Sequence, residues 1–276
     1  MDKQYRRFCA PPRRRRAPGD VLSESTVAGT AAFAKFMVIL QAVADAAQPP
    51  SIADLARASG YPRSTVHRIV AALAEHGMLR EMRGGYGIGT RVLGLASRAW
   101  SQFDVREALA GELRALRDLT GETVHLAVPA GTAMMYIDKL ESPGPLRMVS
   151  RVGATVAAHR SAVGRAWLAA LAPELCEARL AALPDCDAAA RGLLSSTTLP
   201  QARARGYALD DQENEAGICC YGVALQAPDD TVVACVSVSV LCFRTHADPL
   251  QAYVAPLLAL RERSRALLGL LPPQGG

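Results

Sequence analysis

The stretch SIADLARASGYPRSTVHRIVAALAEHGMLR, residues 51–80, decides the fold of the amino-terminal part of the chain. It predicts two helices joined by a short turn, because Gly60 closes the first run of helical spacing before the second begins. Ser51 is the predicted N-cap of the first helix, with Asp54 at the capping-box distance. Two short extended runs follow, on either side of Gly84-Gly85, which is a turn signal. Helix, turn, helix and hairpin in this order predict a winged helix-turn-helix over residues 28–89.

Upstream of this stretch, the pattern predicts a helix from Thr30 to Ala46 and a disordered basic tail at 1–27. The tail contains Pro, Arg and Ser without helical or strand periodicity. Pro49-Pro50 ends the predicted helix. Its apolar stripe is expected to consist of Phe33, Phe36, Met37, Leu40 and Val43.

Downstream, TRVLGLASRAWSQF predicts a linker helix at 90–103, and residues 104–270 alternate helical and extended patterns. ETVHLAVP and AMMYIDKL are expected to form a hairpin, and LRMVSRV to continue its sheet. Further strands are predicted in GYALD, CCYGVALQA and TVVACVSVSV. The helices are expected in VREALAGELRALRDLTG, SAVGRAWLAAL, PELCEARLAAL and PLQAYVAPLLALRERSRALLG. The class is therefore α+β, with a mixed, mainly antiparallel sheet in the second domain.

Charge is unevenly distributed along the chain. Residues 1–100 contain 15 Lys+Arg and 7 Asp+Glu, whereas residues 101–276 contain 16 and 19, within a total net charge of +5. A basic amino-terminal part favours a polyanionic partner for that part alone. No apolar run approaches the roughly 18 residues that span a bilayer, and no secretory signal follows the basic start. The expected location is the cytoplasm, and no membrane partner is expected.

The seven cysteines are odd in number and contain no CxxC spacing. This pattern indicates neither a zinc site nor a disulfide framework, so no metal and no cofactor are predicted. The thiols are expected to be reduced and mostly buried. They are Cys9, Cys176, Cys186, Cys219, Cys220, Cys235 and Cys242.

The second helix of the quoted stretch carries exposed donors on its first turns, where a recognition helix meets base edges. Arginine can contact guanine with two hydrogen bonds, and Ser, Thr and His offer shorter contacts. The two wing glycines would allow a close approach of backbone to DNA. A small helical subdomain with a solvated polar face is the alternative interpretation. The candidate DNA-binding residues are Arg63, Ser64, Thr65, His67, Arg68, Arg83, Gly84, Gly85 and Tyr86.

Two features of the second domain suggest a ligand site. Ser161 to Gly164 open a helix, whose first N–H groups and dipole favour an anion. In TVVACVSVSV, a period of two places Cys235, Ser237 and Ser239 on one face and valines on the other. A ligand-binding surface and an ordinary solvent-facing edge both fit this polar face.

Several stretches resemble the IclR-type bacterial regulators, over about residues 30–265. They are the quoted stretch, GETVHLAVPAGTAMMYIDKLESPGPLRMVSRVG, HRSAVGRAWLA and GYALDDQENEAGICC. The resemblance implies a winged-helix domain, a linker helix and a GAF-like effector domain. It also implies homodimers or homotetramers that act on double-stranded operator DNA. The subgroup that controls the catabolism of aromatic acids is the most similar.

The resemblance also implies which residues contact the effector. Apolar walls with a few polar groups suit a small organic acid. Ala162-Val163 stands where many members have smaller or differently polar pairs, and Cys219-Cys220 is unusual, so the identity of the acid cannot be carried over. The operator, the target genes and the choice between activation and repression also stay open. The implied contacts are Leu146, Met148, Val156, Ala162, Val163, Asp210, Ile218, Cys220, Ser237 and Ser239.

Two other functions are alternative interpretations of the sequence. A small-molecule enzyme would need a nucleophile, base and orienter such as Cys220, His159 and Asp210. The chain contains no GxSxG, P-loop, GxGxxG or HExxH motif, so no catalytic residue is predicted. A DNA-binding protein without a ligand is the other alternative. The long second domain disfavours it, because DNA binding alone needs no such sheet.

Overall fold

The computed structural model describes residues 31–100 and 104–269, without the side chains of 97–100 and 104. The predicted tail at 1–27, Cys9 and the last residues of the predicted linker helix lie outside this part. The chain divides after Gln102 into two compact units. Among the described helices, none combines the length and the apolar character that crossing a membrane requires.

The first unit has the predicted order of helices and hairpin. Its elements are α1 (Ala31–Asp45), α2 (Ile52–Ser59), α3 (Arg63–Glu75), β1 (Leu79–Met82), β2 (Gly85–Ile88) and α4 (Thr90–Trp100).

The caps of α2 are those that the sequence predicts. Ser51 Oγ accepts the N–H of Asp54, and the Asp54 carboxylate accepts the N–H of Ser51, so the capping box is complete. At the other end Gly60 has a φ of 72°, the left-handed conformation that ends helices and suits glycine. These caps fix the point at which the chain turns into α3.

The apolar stripe of α1 differs from the expected one. Phe33 is 66% exposed, whereas Ile39 and Val43 are buried against α2 and α3. Phe36 and Leu40 are half-buried beside them. The observed stripe has helical spacing around Ile39, and Phe33 in the first turn lies outside it.

The second unit is a six-stranded sheet with helices on both faces. Its strands lie in the order β5-β4-β3-β8-β7-β6, and every neighbouring pair is antiparallel. The strands are β3 (Thr123–Ala130), β4 (Ala133–Leu140), β5 (Thr155–Ala157), β6 (Ala208–Asp211), β7 (Ile218–Gln226) and β8 (Val232–Leu241). The helices are α5 (Asp104–Thr120), α6 (Ala162–Ala170), α7 (Pro173–Ala181), α8 (Ala188–Leu193), α9 (Leu199–Arg205) and α10 (Ala255–Leu268).

The prediction of a strand in LRMVSRV is wrong. Residues 146–152 form no strand, and the sheet continues instead with β5. Lys139 explains the difference, because its buried Nζ donates to the carbonyl oxygens of Met148 and Ser150, each at 2.8 Å. These carbonyl oxygens therefore accept hydrogen bonds from a lysine rather than from a neighbouring strand.

The two faces of the sheet are covered by different helices. Val236, Val238 and Val240 of β8 belong to the core formed with α5 and α10. The opposite face, which includes Cys235, packs against α6. The alternation read from the β8 sequence is therefore observed, with both faces covered.

Two glycines let the α6 backbone rest directly on its neighbours. A Cβ on Gly222 of β7 would lie 2.7 Å from the carbonyl carbon and oxygen of Ala162. A Cβ on Gly164 of α6 would overlap the backbone of Ala158. Both contacts involve backbone, which cannot swing away as a flexible side chain can. Gly111 of α5 faces open space instead.

Alanine substitutions at two helical glycines are expected to have opposite effects. Gly164→Ala should lower the free energy of unfolding of the second unit by about 1–3 kcal/mol, because the new methyl group overpacks the contact with Ala158. Gly111→Ala should raise it by about 0.5–1 kcal/mol through helix propensity. Urea unfolding followed by Trp167 fluorescence in a Trp100→Phe background measures both. Equal stability of the two variants would contradict the packing of α6.

Candidate functional site

Helix α3 presents its polar residues to solvent at its amino-terminal end. Arg63, Ser64, His67 and Arg68 are exposed, and Thr65 is half-buried. Between them, the apolar residues of the helix are buried in the core of the first unit. These are Val66, Ile69, Val70 and Leu73.

An open groove brings part of α3 together with the hairpin. Arg63 and His67 line one side of it, and residues 84–86 with Met82 line the other. Glu81 and the start of α2 also line the groove. Ser64, Thr65 and Arg68 lie outside this lining and extend the polar surface along the helix.

Four arginines of α3 and the hairpin have exposed guanidinium groups. Arg63, Arg68, Arg80 and Arg83 are exposed, and none has a hydrogen-bond or ion-pair partner among the described residues. Arg57 on α2 is paired with Asp54 at 3.2 Å. Sequence reasoning missed Arg80, although its position on β1 next to buried Leu79 was a usable signal.

The wing residues have different roles in the structure. Gly84 makes the tight turn with a φ of 93°, and open space surrounds it. A Cβ on Gly85 would overlap the carbonyl group of Pro50, and the N–H of Tyr86 donates to the same carbonyl at 3.0 Å. The close approach predicted for Gly85 is therefore to the chain's own backbone. Tyr86 is half-buried against the core, so these two residues hold the hairpin to the body of the unit.

In the second unit, the serine face of β8 is buried. Ser237 and Ser239 are 3% and 2% exposed, because β8 is a central strand. The solvent-facing edge considered from the sequence is therefore excluded. Ser239 is directly opposite Cys220 on β7, and Cys220 is opposite Asp210 on β6. The antiparallel register thus brings these four predicted effector residues onto one face.

Hydrogen bonds connect this face to a buried histidine that the sequence did not single out. Ser239 Oγ lies 3.3 Å from His125 Nδ1, and Ser150 Oγ lies 2.8 Å from Nε2. Cys220 Sγ donates to Ser239 Oγ at 3.2 Å. Burial lowers the pKa of His125 to about 3, so the ring is neutral at pH 7. Tyr136 stacks on it, with ring centroids 4.5 Å apart. Alternation in ETVHLAVP was the available signal for His125.

The start of α6 lies over the same region. Ser161 Oγ accepts the N–H of Gly164 at 3.2 Å and is the N-cap. The N–H groups of Ala162 and Val163 have no hydrogen-bond partner among the described residues. Because Ala162 rests on Gly222, two positions from Cys220 along β7, these N–H groups lie beside the polar face. They are available to donate hydrogen bonds to an anion.

Asp210 and Arg165 fix the loop between β6 and β7. Asp210 Oδ1 accepts the N–H groups of Glu213 and Asn214 at 2.9 and 3.1 Å. Burial nevertheless raises the pKa of Asp210 to about 6. Arg165, itself buried, donates to the carbonyl of Leu209 and to both carboxylate oxygens of Glu213.

The predicted apolar contacts are less uniformly placed. Met148, Val156 and Ile218 are half-buried, and Val156 packs against the core beneath α6. Leu146 is 51% exposed on the irregular segment after β4.

The structure does not assemble the triad considered from the sequence. Cys220 donates to Ser239, whereas His159 Nε2 is buried without a partner among the described residues. Burial raises the pKa of the Cys220 thiol to about 12, the opposite of an activated nucleophile. No group of three or more His, Cys, Asp and Glu side chains in the described part of the chain could hold a metal ion.

Comparisons with known proteins give one family for both units. The family model of the bacterial transcriptional regulator IclR C-terminal domain matches residues 97–265, and that of the IclR helix-turn-helix domain matches residues 33–82. The HTH-type transcriptional regulator XynR of Escherichia coli is 31% identical over 70% of this chain and 79% of its own length.

Solved structures also match both units of the chain. The Thermotoga maritima IclR crystal structure is 27% identical and covers 86% of this chain and 98% of its own, with a TM-score of 0.67. An IclR homolog from Microbacterium hydrocarbonoxydans, complexed with 4-hydroxybenzoate, shares the fold at 21% identity and a TM-score of 0.70. That match covers 86% of this chain and 98% of the homolog.

Proposed function

The chain belongs to the IclR family of bacterial transcriptional regulators, and from that premise we propose that a small organic acid, bound in the second unit, modulates its binding to operator DNA or its transcriptional output. It is a DNA-binding regulator rather than an enzyme. The residues that contact DNA, the acid, the oligomeric state and the cytoplasmic location are parts of the proposal.

The observation that carries the DNA contacts is the set of four exposed guanidinium groups on α3 and the hairpin that have no partner among the described residues. An exposed arginine without an internal partner is free to pair with a phosphate or a guanine edge. We assign base reading to Arg63 and Arg68 on α3, with Ser64, Thr65 and His67 beside them. We assign contacts with the backbone of the duplex to Arg80 and to Arg83 with the Gly84 turn.

Loss of Arg63 or Arg68 should weaken specific binding. Each change to Ala is expected to cost about 1–3 kcal/mol, or roughly 5- to 150-fold in operator affinity, because a base contact is lost. Arg80→Ala and Arg83→Ala should weaken binding to all sequences and lower the salt slope by about 1. Fluorescence anisotropy on the operator mapped by footprinting measures both effects at several salt concentrations.

Arg57→Ala is the matched control for these variants, since Arg57 is an exposed arginine that already has a carboxylate partner. It should leave operator affinity unchanged. Operator affinity equal to the unmodified protein's in both the Arg63 and Arg68 variants would overturn the assignment of α3 as the recognition helix.

The observation that carries the acid site is the pair of N–H groups at the start of α6, above a buried polar face, that have no partner in the described part of the chain. We assign the acid's carboxylate to the N–H groups of Ala162 and Val163. Ser237 and Ser239 exchange hydrogen bonds with the ligand, and Asp210 and Cys220 border the polar end. The apolar part of the ligand lies towards Leu146, Met148, Val156 and Ile218. The 4-hydroxybenzoate bound by the Microbacterium homolog supports an aromatic acid here.

Coupling to DNA requires that the acid bind one arrangement of the protein more tightly than another. Helix α4 begins directly after the hairpin and leads towards the second unit, so it is the proposed lever. One recognition helix reads only a few base pairs, which favours a homodimer or homotetramer on a palindromic site.

Ser239→Leu should block the acid site. The larger side chain beside His125 is expected to abolish both acid binding and the response, while DNA affinity without acid stays unchanged. Ser239→Ala keeps the volume and should weaken binding by roughly 3- to 10-fold through the lost hydrogen bond. Calorimetry with a panel of aromatic and aliphatic acids measures this.

Ser264→Ala is the control, because Ser264 is a fully buried serine of α10 that donates to the Leu260 carbonyl. It should bind acid normally. A normal response in Ser239→Leu would show that the site lies elsewhere. A panel that binds nowhere on the unmodified protein would remove the acid from the proposal.

Acid affinity should depend on pH through Asp210. Its pKa of about 6 means that the carboxyl is neutral below this value and negatively charged above it. A bound carboxylate is repelled only by the charged form, so affinity should fall as pH rises from 5 to 7. Charges on the order of 10 Å apart at an effective dielectric constant of about 20 give about a tenfold change.

Asp210→Asn keeps an acceptor for the loop N–H groups and removes the charge. In this variant, calorimetry with an acid that stays ionised throughout the range should give nearly the same affinity at every pH. A pH dependence that persists unchanged in Asp210→Asn would assign the titration to another group.

A further inference from the structure

Two thiols meet at the rim of the second unit. Cys219 lies in β7 and Cys242 is the first residue after β8, and their Sγ atoms are 2.9 Å apart. Both side chains are half-buried, whereas Cys176, Cys186 and Cys235 are buried. Cys219 Sγ also donates to Asp211 Oδ1 at 3.3 Å. Among the described cysteines, Cys219 and Cys242 contact each other, and their half-buried side chains are accessible to a small oxidant in solvent.

The backbone holds the two thiols in place. Ile218 and Leu241 are paired in the antiparallel ladder, and the N–H of Cys242 donates to the carbonyl of Gly217 at 2.9 Å. The thiols thus extend from neighbouring strands whose separation is fixed on both sides. A disulfide bond of about 2.05 Å requires an approach of about 1 Å from the observed distance.

A metal site is a poorer explanation of this pair. In the part of the chain that the structure describes, no third His, Cys, Asp or Glu completes a ligand set. Soft metal ions in proteins are usually held by three or four such ligands. The chemistry that remains for two adjacent, accessible thiols is their oxidation.

We propose that Cys219 and Cys242 form a reversible disulfide, so that the regulator also carries a thiol switch at this rim. Hydrogen peroxide, the oxidant of the proposal, converts one thiol to a sulfenic acid and releases one water. The second thiol's sulfur attacks the sulfenic sulfur, forming the S–S bond and releasing a second water. In sum, two thiols and one peroxide give one disulfide and two waters, and a dithiol reductant reverses the change.

The short distance between the two sulfur atoms favours this bond, whereas the low reactivity of the Cys219 thiol does not. Burial, the neighbouring Cys242 and Asp211 raise the pKa of the Cys219 thiol, so little thiolate is present at neutral pH. Oxidation should therefore need sustained exposure to peroxide. Once formed, the bond ties the start of β7 to the turn after β8 and removes the proton that Cys219 donates to Asp211.

The disulfide would form one residue away from the polar face. Cys219 and Cys220 are consecutive in β7 and lie on opposite faces of the sheet, and Cys220 donates to Ser239. A change in acid affinity on oxidation rests on the proposed function, whereas formation of the disulfide does not. Formation of the disulfide can therefore be measured directly, without an acid.

The full-length protein is treated with hydrogen peroxide at pH 8, alkylated and mapped by mass spectrometry without reduction. We expect a linked peptide pair containing Cys219 and Cys242, lighter by two hydrogens, that disappears with dithiothreitol. The Tm of the second unit should rise by roughly 5 °C in the oxidised form, because the crosslink restricts the unfolded chain.

Cys219→Ser and Cys242→Ser should each abolish the linked peptide and the Tm shift. Cys220→Ser is the matched control, since it removes the adjacent thiol, and it should retain both. Formation of sulfinic acid without a crosslink would overturn the proposal. So would a crosslink through any other cysteine, Cys9 and Cys220 included.

Discussion

The contact on which the second unit depends is that of the α6 backbone with the sheet. Gly222 leaves room for the carbonyl of Ala162, and Gly164 leaves room for the backbone of Ala158. With a side chain at either position the helix would have to lie farther from the strands. Its first N–H groups would then no longer lie beside the serine face of β8. The candidate acid site therefore follows from two missing Cβ atoms as much as from the polar residues around it.

The arginines of the chain divide by their partners. Several arginines of the second unit have internal partners: Arg165 donates to the loop after β6, and Arg263 forms a 2.8 Å ion pair with Glu112. Arg63 and Arg68 on α3, and Arg80 and Arg83 on the hairpin, have no partner among the described residues. Net charge alone pointed to the basic half of the chain, but it could not separate structural arginines from available ones. That separation requires knowing which carboxylates lie nearby, and tertiary structure decides this.

Features encoded locally were predictable from the sequence. The capping box at Ser51, the glycine that ends α2 and the period of two in β8 all depend on residues close together in the chain. The failures have different causes. Lys139 binds the carbonyls that a strand at 146–152 would need, whereas α8 and α9 lack a clear apolar period from which to predict them. His125 joins the polar face only because β3 pairs with β8, more than 100 residues later.

A buried polar face is costly unless its groups are paired. Here Ser239, His125, Cys220 and Ser150 are hydrogen-bonded to one another, whereas the N–H groups of Ala162 and Val163 have no partners among the described residues. An acid that bound them would replace an unsatisfied pair with charge-assisted hydrogen bonds. The serine and histidine network can meanwhile exchange one internal bond for one to the ligand. In the proposed acid site, most of the gain would therefore come from the helix start, and the polar face would discriminate among acids rather than supply the bulk of their affinity.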